Sequence, residues 1–199
     1  RVAVPGILMT AVLAIGVGNA LCRDVVHIDL VGSANSPAVV VSQNHTAVVL
    51  FRGGASTQRA VENQLARRGV TTVELRADLR LDPENACTLP ARTMYRVAVQ
   101  PVGSAVTRQT STAAVETLRT RSGCLVRLTI GEQQFVTVSG TVTLAEPVRA
   151  QWLLASPAKP EAVQWEQLLS RSDHYQWMQG GEAVYASLSL RPSGGWRAE

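Results

Sequence analysis

Hydrophobic residues enter this chain first as one unbroken run and afterwards as short blocks. Residues 2–21 carry no charge over twenty positions, between Arg1 and Arg23. About 20 residues at 1.5 Å rise cross a hydrocarbon core of roughly 30 Å, so segment 1–23 is expected to be a membrane-spanning helix. Pro5, Gly6, Gly16 and Gly18 are compatible with such a helix. A secretory signal competes, with Gly18 and Ala20 as its small-residue cleavage site, but only Arg1 precedes the run and no initiator Met is present. Leu21 before Cys22 does not make a lipoprotein box. The start without Met reads as a piece of a longer protein, the span being the last of several.

From residue 24 onward the blocks are short, as in a domain of strands and helices. Segments 25–30, 38–42 and 47–51 are β-branched, and Gln43, Asn44 and His45 separate the last two as a hairpin turn. Gly53 and Gly54 break the pattern. Ser56 or Thr57 is expected to cap a helix carrying Val61 and Leu65 at i, i+4 spacing, with Gly69 closing it. Strands are expected over 71–75 and 95–100, with a polar loop over 103–112. Segments 124–130 and 133–138 flank Gly131 and Glu132 as a second hairpin, and 152–155 reads as a buried strand. A helix over 161–169 and an alternating strand over 184–190 complete the pattern. Two halves, each of strands followed by a helix, predict an α+β architecture of paired sheets with helices on their outer faces.

Composition narrows this picture only a little. With 46% hydrophobic and 17% charged residues among 199, the chain is neither a disordered charged tail nor a low-complexity polymer. Residues 24–199 suffice for one globular domain. The net charge of +4 comes from eighteen arginines and Lys159 against fifteen acids, favouring anionic partners. Three cysteines without CxxC spacing make no zinc ribbon.

The order of the blocks resembles a family, the metallo-β-lactamase-like domain that follows the membrane helices of ComEC-type competence proteins, which import DNA. Where that family has a strand ending L-D-V-G-Q-G-D, residues 26–35 read V-H-I-D-L-V-G-S-A-N, with Asn35 at the final Asp. Where it has L-I-D-x-G-G, residues 49–54 read V-L-F-R-G-G, with Phe51 at the Asp. L-A-R-R-G-V-T-T-V at 65–73 matches the helix end and strand that precede T-H-x-H-x-D-H. Segments 124–126, 135–141 and 154–158 correspond to the S-L-V, F-L-L-T-G-D and V-P-H-H-G-S segments. The resemblance implies a four-layer αββα sandwich, preceded here by the membrane-spanning helix.

It also implies a lost metal site. A hydrolytic binuclear centre needs imidazole and carboxylate ligands around an activated water. Residues 74–82 read E-L-R-A-D-L-R-L-D without a histidine, Thr141 stands at the G-D aspartate, and Ser156 stands at the histidine pair. The expectation is therefore a pseudoenzyme with no catalytic residues, no metal and no cofactor. Its role would lie in assembly or DNA handling during DNA uptake, at the cell membrane, with the soluble domain extracytoplasmic. Partners would be the membrane through 1–23, DNA held weakly and without sequence preference, and other subunits of an uptake complex. Arg59, Arg67 and Arg68 are the candidate phosphate contacts, since Arg59 and Arg67 share one helix with Arg68 beside them.

Other chemistry in the chain reads as structural. His45 belongs to a turn, His27 to a strand, and His174 beside Asp173 lacks the geometry of a base with its orienting carboxylate. Cys124 has Arg121 and Arg127 nearby but no base to activate it. In an extracytoplasmic domain Cys87 and Cys124 are candidates for a disulfide, with a loop-closure contribution of roughly 3 to 4 kcal/mol. Gly53 and Gly54 before a helix form a tight turn rather than a phosphate loop, since no P-loop Lys follows. Two further function classes compete: a membrane-anchored extracytoplasmic interaction module unrelated to DNA, and a hydrolase with a site of another kind.

Overall fold

Strands whose residues are apolar on both faces need cover on both sides, and the first three strands are of this kind. The computed structural model describes residues 25–33, 36–80, 89–97, 102–140, 142, 150, 152–154, 176–177, 184–191 and 195–198. β1 (Val26–Ser33), β2 (Ser36–Gln43) and β3 (Thr46–Phe51) form an antiparallel meander. Its middle turn stands on Asn44, the described non-glycine residue with positive φ, at 54°. α1 (Ala55–Arg67) then crosses over, so that β4 (Thr72–Asp78) pairs parallel to β3 and β5 (Arg92–Val97) parallel to β4. The second sheet opens with β6 (Ala105–Gln109), β7 (Ala114–Arg119), β8 (Gly123–Ile130) and β9 (Gln133–Gly140), all antiparallel. β10 (Trp152–Leu153) and β11 (Gln176–Trp177) extend it in parallel. β12 (Val184–Arg191) and β13 (Gly195–Ala198) return to the first sheet. The orders are β13-β12-β1-β2-β3-β4-β5 and β11-β10-β9-β8-β7-β6.

Alternation along the strands divides the interior in two. Ile28, Leu30, Val39, Val41, Val48, Leu50 and Leu75 meet Val126, Leu128, Phe135 and Leu154 between the sheets. Val31, Val40, Val49, Phe51 and Val73 point the other way and pack under Val61 and Leu65 of α1. Fully burying a Val, Leu or Phe side chain contributes about 1.5–3 kcal/mol, so the two layers of contact jointly hold the central strands. Phe135 and Trp152 stack with centroids 5.9 Å apart, tying β10 to β9.

The expected four-layer αββα sandwich preceded by a membrane-spanning helix is corrected by this arrangement. The described residues are mostly strand, in two sheets, and α1 is the helix among them; it covers one face of the first sheet, giving three layers. The expected segment 1–23 and the expected helix 161–169 lie outside the described residues. Among the described residues no helix is long and apolar enough to cross a membrane. The loop expected over 103–112 contains β6, a polar strand that exists because β7 offers it a ladder from Ala105↔Leu118 to Gln109↔Ala114. β7 itself carries weak apolar alternation and is fixed by β8.

Both ends of α1 follow local rules, though not all the expected ones. Gly54, not Ser56 or Thr57, is the N-cap, and no side chain caps the helix. Thr57 is buried instead, and its Oγ1 accepts the Ser33 N–H at 3.2 Å. At the far end Gly69 takes φ 64° and donates to the Ala66 carbonyl, the left-handed close its position predicts.

Candidate functional site

Parallel pairing of β3 with β4 puts Phe51 beside Asp78, with Arg52 directly after the first and Arg80 two positions after the second. Asp78 accepts from Arg80 Nε at 2.8 Å and Nη2 at 2.6 Å, and from Arg76 Nη2 at 3.4 Å. The two guanidiniums lie over the Phe51 ring, 5.4 and 5.1 Å from its centroid. Cation–π attraction and the shared carboxylate thus hold both charges at the strand ends. The Leu79 N–H donates to the Phe51 carbonyl at 2.9 Å and closes this corner.

Arg52, the next residue, turns into the sandwich and is only 5% exposed. Its Nε donates to the Pro37 carbonyl of β2 at 2.9 Å, and its Nη1 to the Val138 carbonyl of β9, so one side chain joins the two sheets. Nη2 is buried without a hydrogen-bond partner. Burial pushes the Arg52 pKa down to about 10, against a smaller opposing effect of the Cys124 thiolate. The guanidinium is charged at neutral pH all the same. Cys124 is a buried thiol whose pKa burial raises, while the Arg119 and Arg52 charges pull it back. A thiol held protonated is a poor nucleophile.

These side chains do not suit a divalent metal. Residues 74–82 stand where the family resemblance expects H-x-H-x-D-H, yet the carboxylates described there are Asp78, held by Arg76 and Arg80, and Glu74, which accepts from Ser111. The two guanidiniums on Asp78 repel a further cation. Among the described residues no group of three or more His, Cys, Asp or Glu side chains gathers as a metal ion requires.

Against this geometry, no family model and no curated protein matches the chain. One similar solved structure is the metallo-beta-lactamase fold protein YhfI from Bacillus subtilis, at 10% identity and a TM-score of 0.44, covering 66% of this chain and 71% of that one. No site residue is carried over from it.

Among the described residues, the remaining sequence candidates are not brought together in one site. Asn35, Thr141, Ser156 and Cys87 lie outside the described residues, as does His174. Arg59 and Arg67 are exposed on α1. Arg68 is not: it grips Asp29, with Nη2 to Oδ1 at 2.8 Å and Nε to Oδ2 at 3.0 Å. Gln64 Nε2 adds a third bond at 2.7 Å to this fully buried carboxylate. Sequence reading missed the pair because Asp29 sits inside an apolar strand, 39 positions from its partner; a lone acid within such a run was the available signal. His45 remains an exposed turn residue, bonded to the Gly69 carbonyl at 3.0 Å, and His27 meets Ser189 Oγ at 2.9 Å.

Proposed function

We propose that this chain is a non-catalytic, metallo-β-lactamase-like domain of a ComEC-related protein, serving assembly or DNA handling rather than hydrolysis. One observation carries the loss of catalysis: in residues 74–82, where the family pattern has its histidines, no histidine stands and the Asp78 carboxylate is held by Arg76 and Arg80. Positive guanidiniums and a metal cation repel one another, the more so at low dielectric. The assignment to DNA uptake rests on the ordered sequence blocks alone.

The test is direct. The chain, incubated with zinc and manganese and then desalted, is expected to retain no stoichiometric metal by elemental analysis and to leave bis-p-nitrophenyl phosphate intact. One or two tightly held ions per chain, or turnover that depends on them, would sink the reading.

The second reading, an interaction module unrelated to DNA, is favoured by the fate of Arg68. Its bonds to Asp29 leave Arg59 and Arg67 as the exposed members of the expected phosphate-binding trio. Titration with labelled duplex at low salt separates the two readings. Binding that weakens when Arg59 and Arg67 are both replaced by Ala supports DNA handling, and no binding supports the module.

A further inference from the structure

The first sheet ends at β5, and among the described residues no strand lies beyond it. Such an edge presents unpaired N–H and C=O groups to any extended chain. Here the edge is also apolar and basic. Met94 and Tyr95 on β5 are 54% and 55% exposed, and Val102, leading into the edge strand of the other sheet, is 63% exposed. Arg92 and Arg96 of β5 and Arg108 of β6 are exposed as well.

Among the described residues no ion pair joins a carboxylate to Arg92, Arg96 or Arg108. Glu74 receives Ser111 N and Oγ at 2.7 and 2.6 Å, Asp78 holds Arg76 and Arg80, and Glu116 holds Arg127. In the ladder, Arg96 stands beside Arg76, so positive charge adjoins positive charge across β4 and β5.

We propose that the β5 edge takes up an extended acidic peptide segment of a partner protein as an added strand. Main-chain hydrogen bonds would hold the segment, and carboxylates facing Arg92 and Arg96 would select it. A second copy of this chain is a poor occupant, because antiparallel pairing of two β5 strands brings Arg92 of one towards Arg96 of the other, and like charges across a ladder destabilise it. The arginines thus discourage self-association and admit an acidic strand. The added strand is short, since β5 itself offers 6 residues to pair with. The inference rests on this edge and not on the reading of the strand-end arginines.

The experiment uses the full 199-residue chain and a fluorescent decapeptide of alternating glutamate and valine. Three probes accompany it: the same peptide with lysine for glutamate, the acidic peptide with alternate backbone amides N-methylated, and an oligothymidine strand. The acidic peptide is expected to bind saturably at low salt, with neither other peptide binding. Arg92→Glu with Arg96→Glu is expected to weaken binding at least about tenfold while leaving the circular dichroism spectrum unchanged. If that pair unfolds the protein, Arg92→Gln with Arg96→Gln reads the same effect. Equal binding of the N-methylated peptide, indifference to the arginine substitutions, or preference for oligothymidine overturns the proposal.

Discussion

Asp29 and Arg68 show what burial does to a single charge. Removing Arg68 leaves the Asp29 carboxylate inside the protein with Gln64 as its described side-chain donor, and a buried ion deprived of its partner costs about 3–5 kcal/mol. Arg68→Ala is therefore expected to lower the unfolding free energy by about 3 kcal/mol, while Arg59→Ala, at an exposed position, changes it by less than about 0.5 kcal/mol. Urea titrations of the two variants check this, and equal small losses would show that the ion pair contributes nothing. Cys124 gives a pH signature. Burial raises its folded-state pKa from the ordinary 9.0, so above about pH 9 the unfolded chain loses its thiol proton before the native state does. The native state then binds more protons, and stability falls as pH rises; below about pH 8 both states are protonated and the effect vanishes. The stability difference between wild type and Cys124→Ala is expected to shrink from pH 8 to pH 10, and a pH-independent difference contradicts it. Neither feature was legible in the sequence, where Arg68 read as a candidate phosphate contact and Cys124 as one member of a cysteine pair. Both depend on residues brought together from distant strands.

At the scale of elements, the junction of β1 with α1 is the tightest contact. Gly32 has φ 104°, and a Cβ there meets Thr57 Cγ2 at 2.6 Å and Oγ1 at 2.7 Å. Gly32→Ala combines backbone strain with a clash against a fully buried side chain, so a loss of about 2–4 kcal/mol is expected from the urea midpoint. Gly54→Ala stands in open space and should lose under about 1 kcal/mol. Equal losses would mean that α1 shifts freely over β1. The glycine itself stood in the segment 26–35 that carries the family resemblance. Its closeness to Thr57 was not, because that depends on where the crossover sets α1 down. Local signals did fix the hairpins at Asn44 and Gly131, both with positive φ. β6 escaped them because its residues are exposed and polar, and its strand conformation is imposed by β7.

For the whole molecule, the division into a double-sided core and open sheet edges predicts uneven stability. β1, β2 and β3 are buried on both faces and β8 lies between β7 and β9, whereas β5 and β6 end their sheets. Amide hydrogen exchange is expected to be slowest in β1–β3 and β8, near the global unfolding limit, and fastest in β5 and β6. Exchange in residues 105–109 as slow as in residues 124–130 would show that an unseen contact covers that edge. The outcome bears on the β5 proposal too, since a slow β5 leaves no open edge for a strand to join.

The sequence by itself determined what depends on neighbours in the chain. The β-branched blocks formed strands because they suit a pleat buried on both faces, and Gly69 ended α1 because a left-handed residue is cheapest as glycine. The missing histidines after Val73 were likewise plain in the sequence, since a ligand has to be present to be placed. The tertiary structure decided the layering, the polar strands β6 and β7, and the arginines' roles. Arg52, Arg68 and Arg92 are chemically alike in the sequence, yet one joins two sheets, one neutralises a buried carboxylate and one stands at an open edge. A guanidinium's role is set by the desolvation and the partners it meets, and those come from strands far apart along the chain.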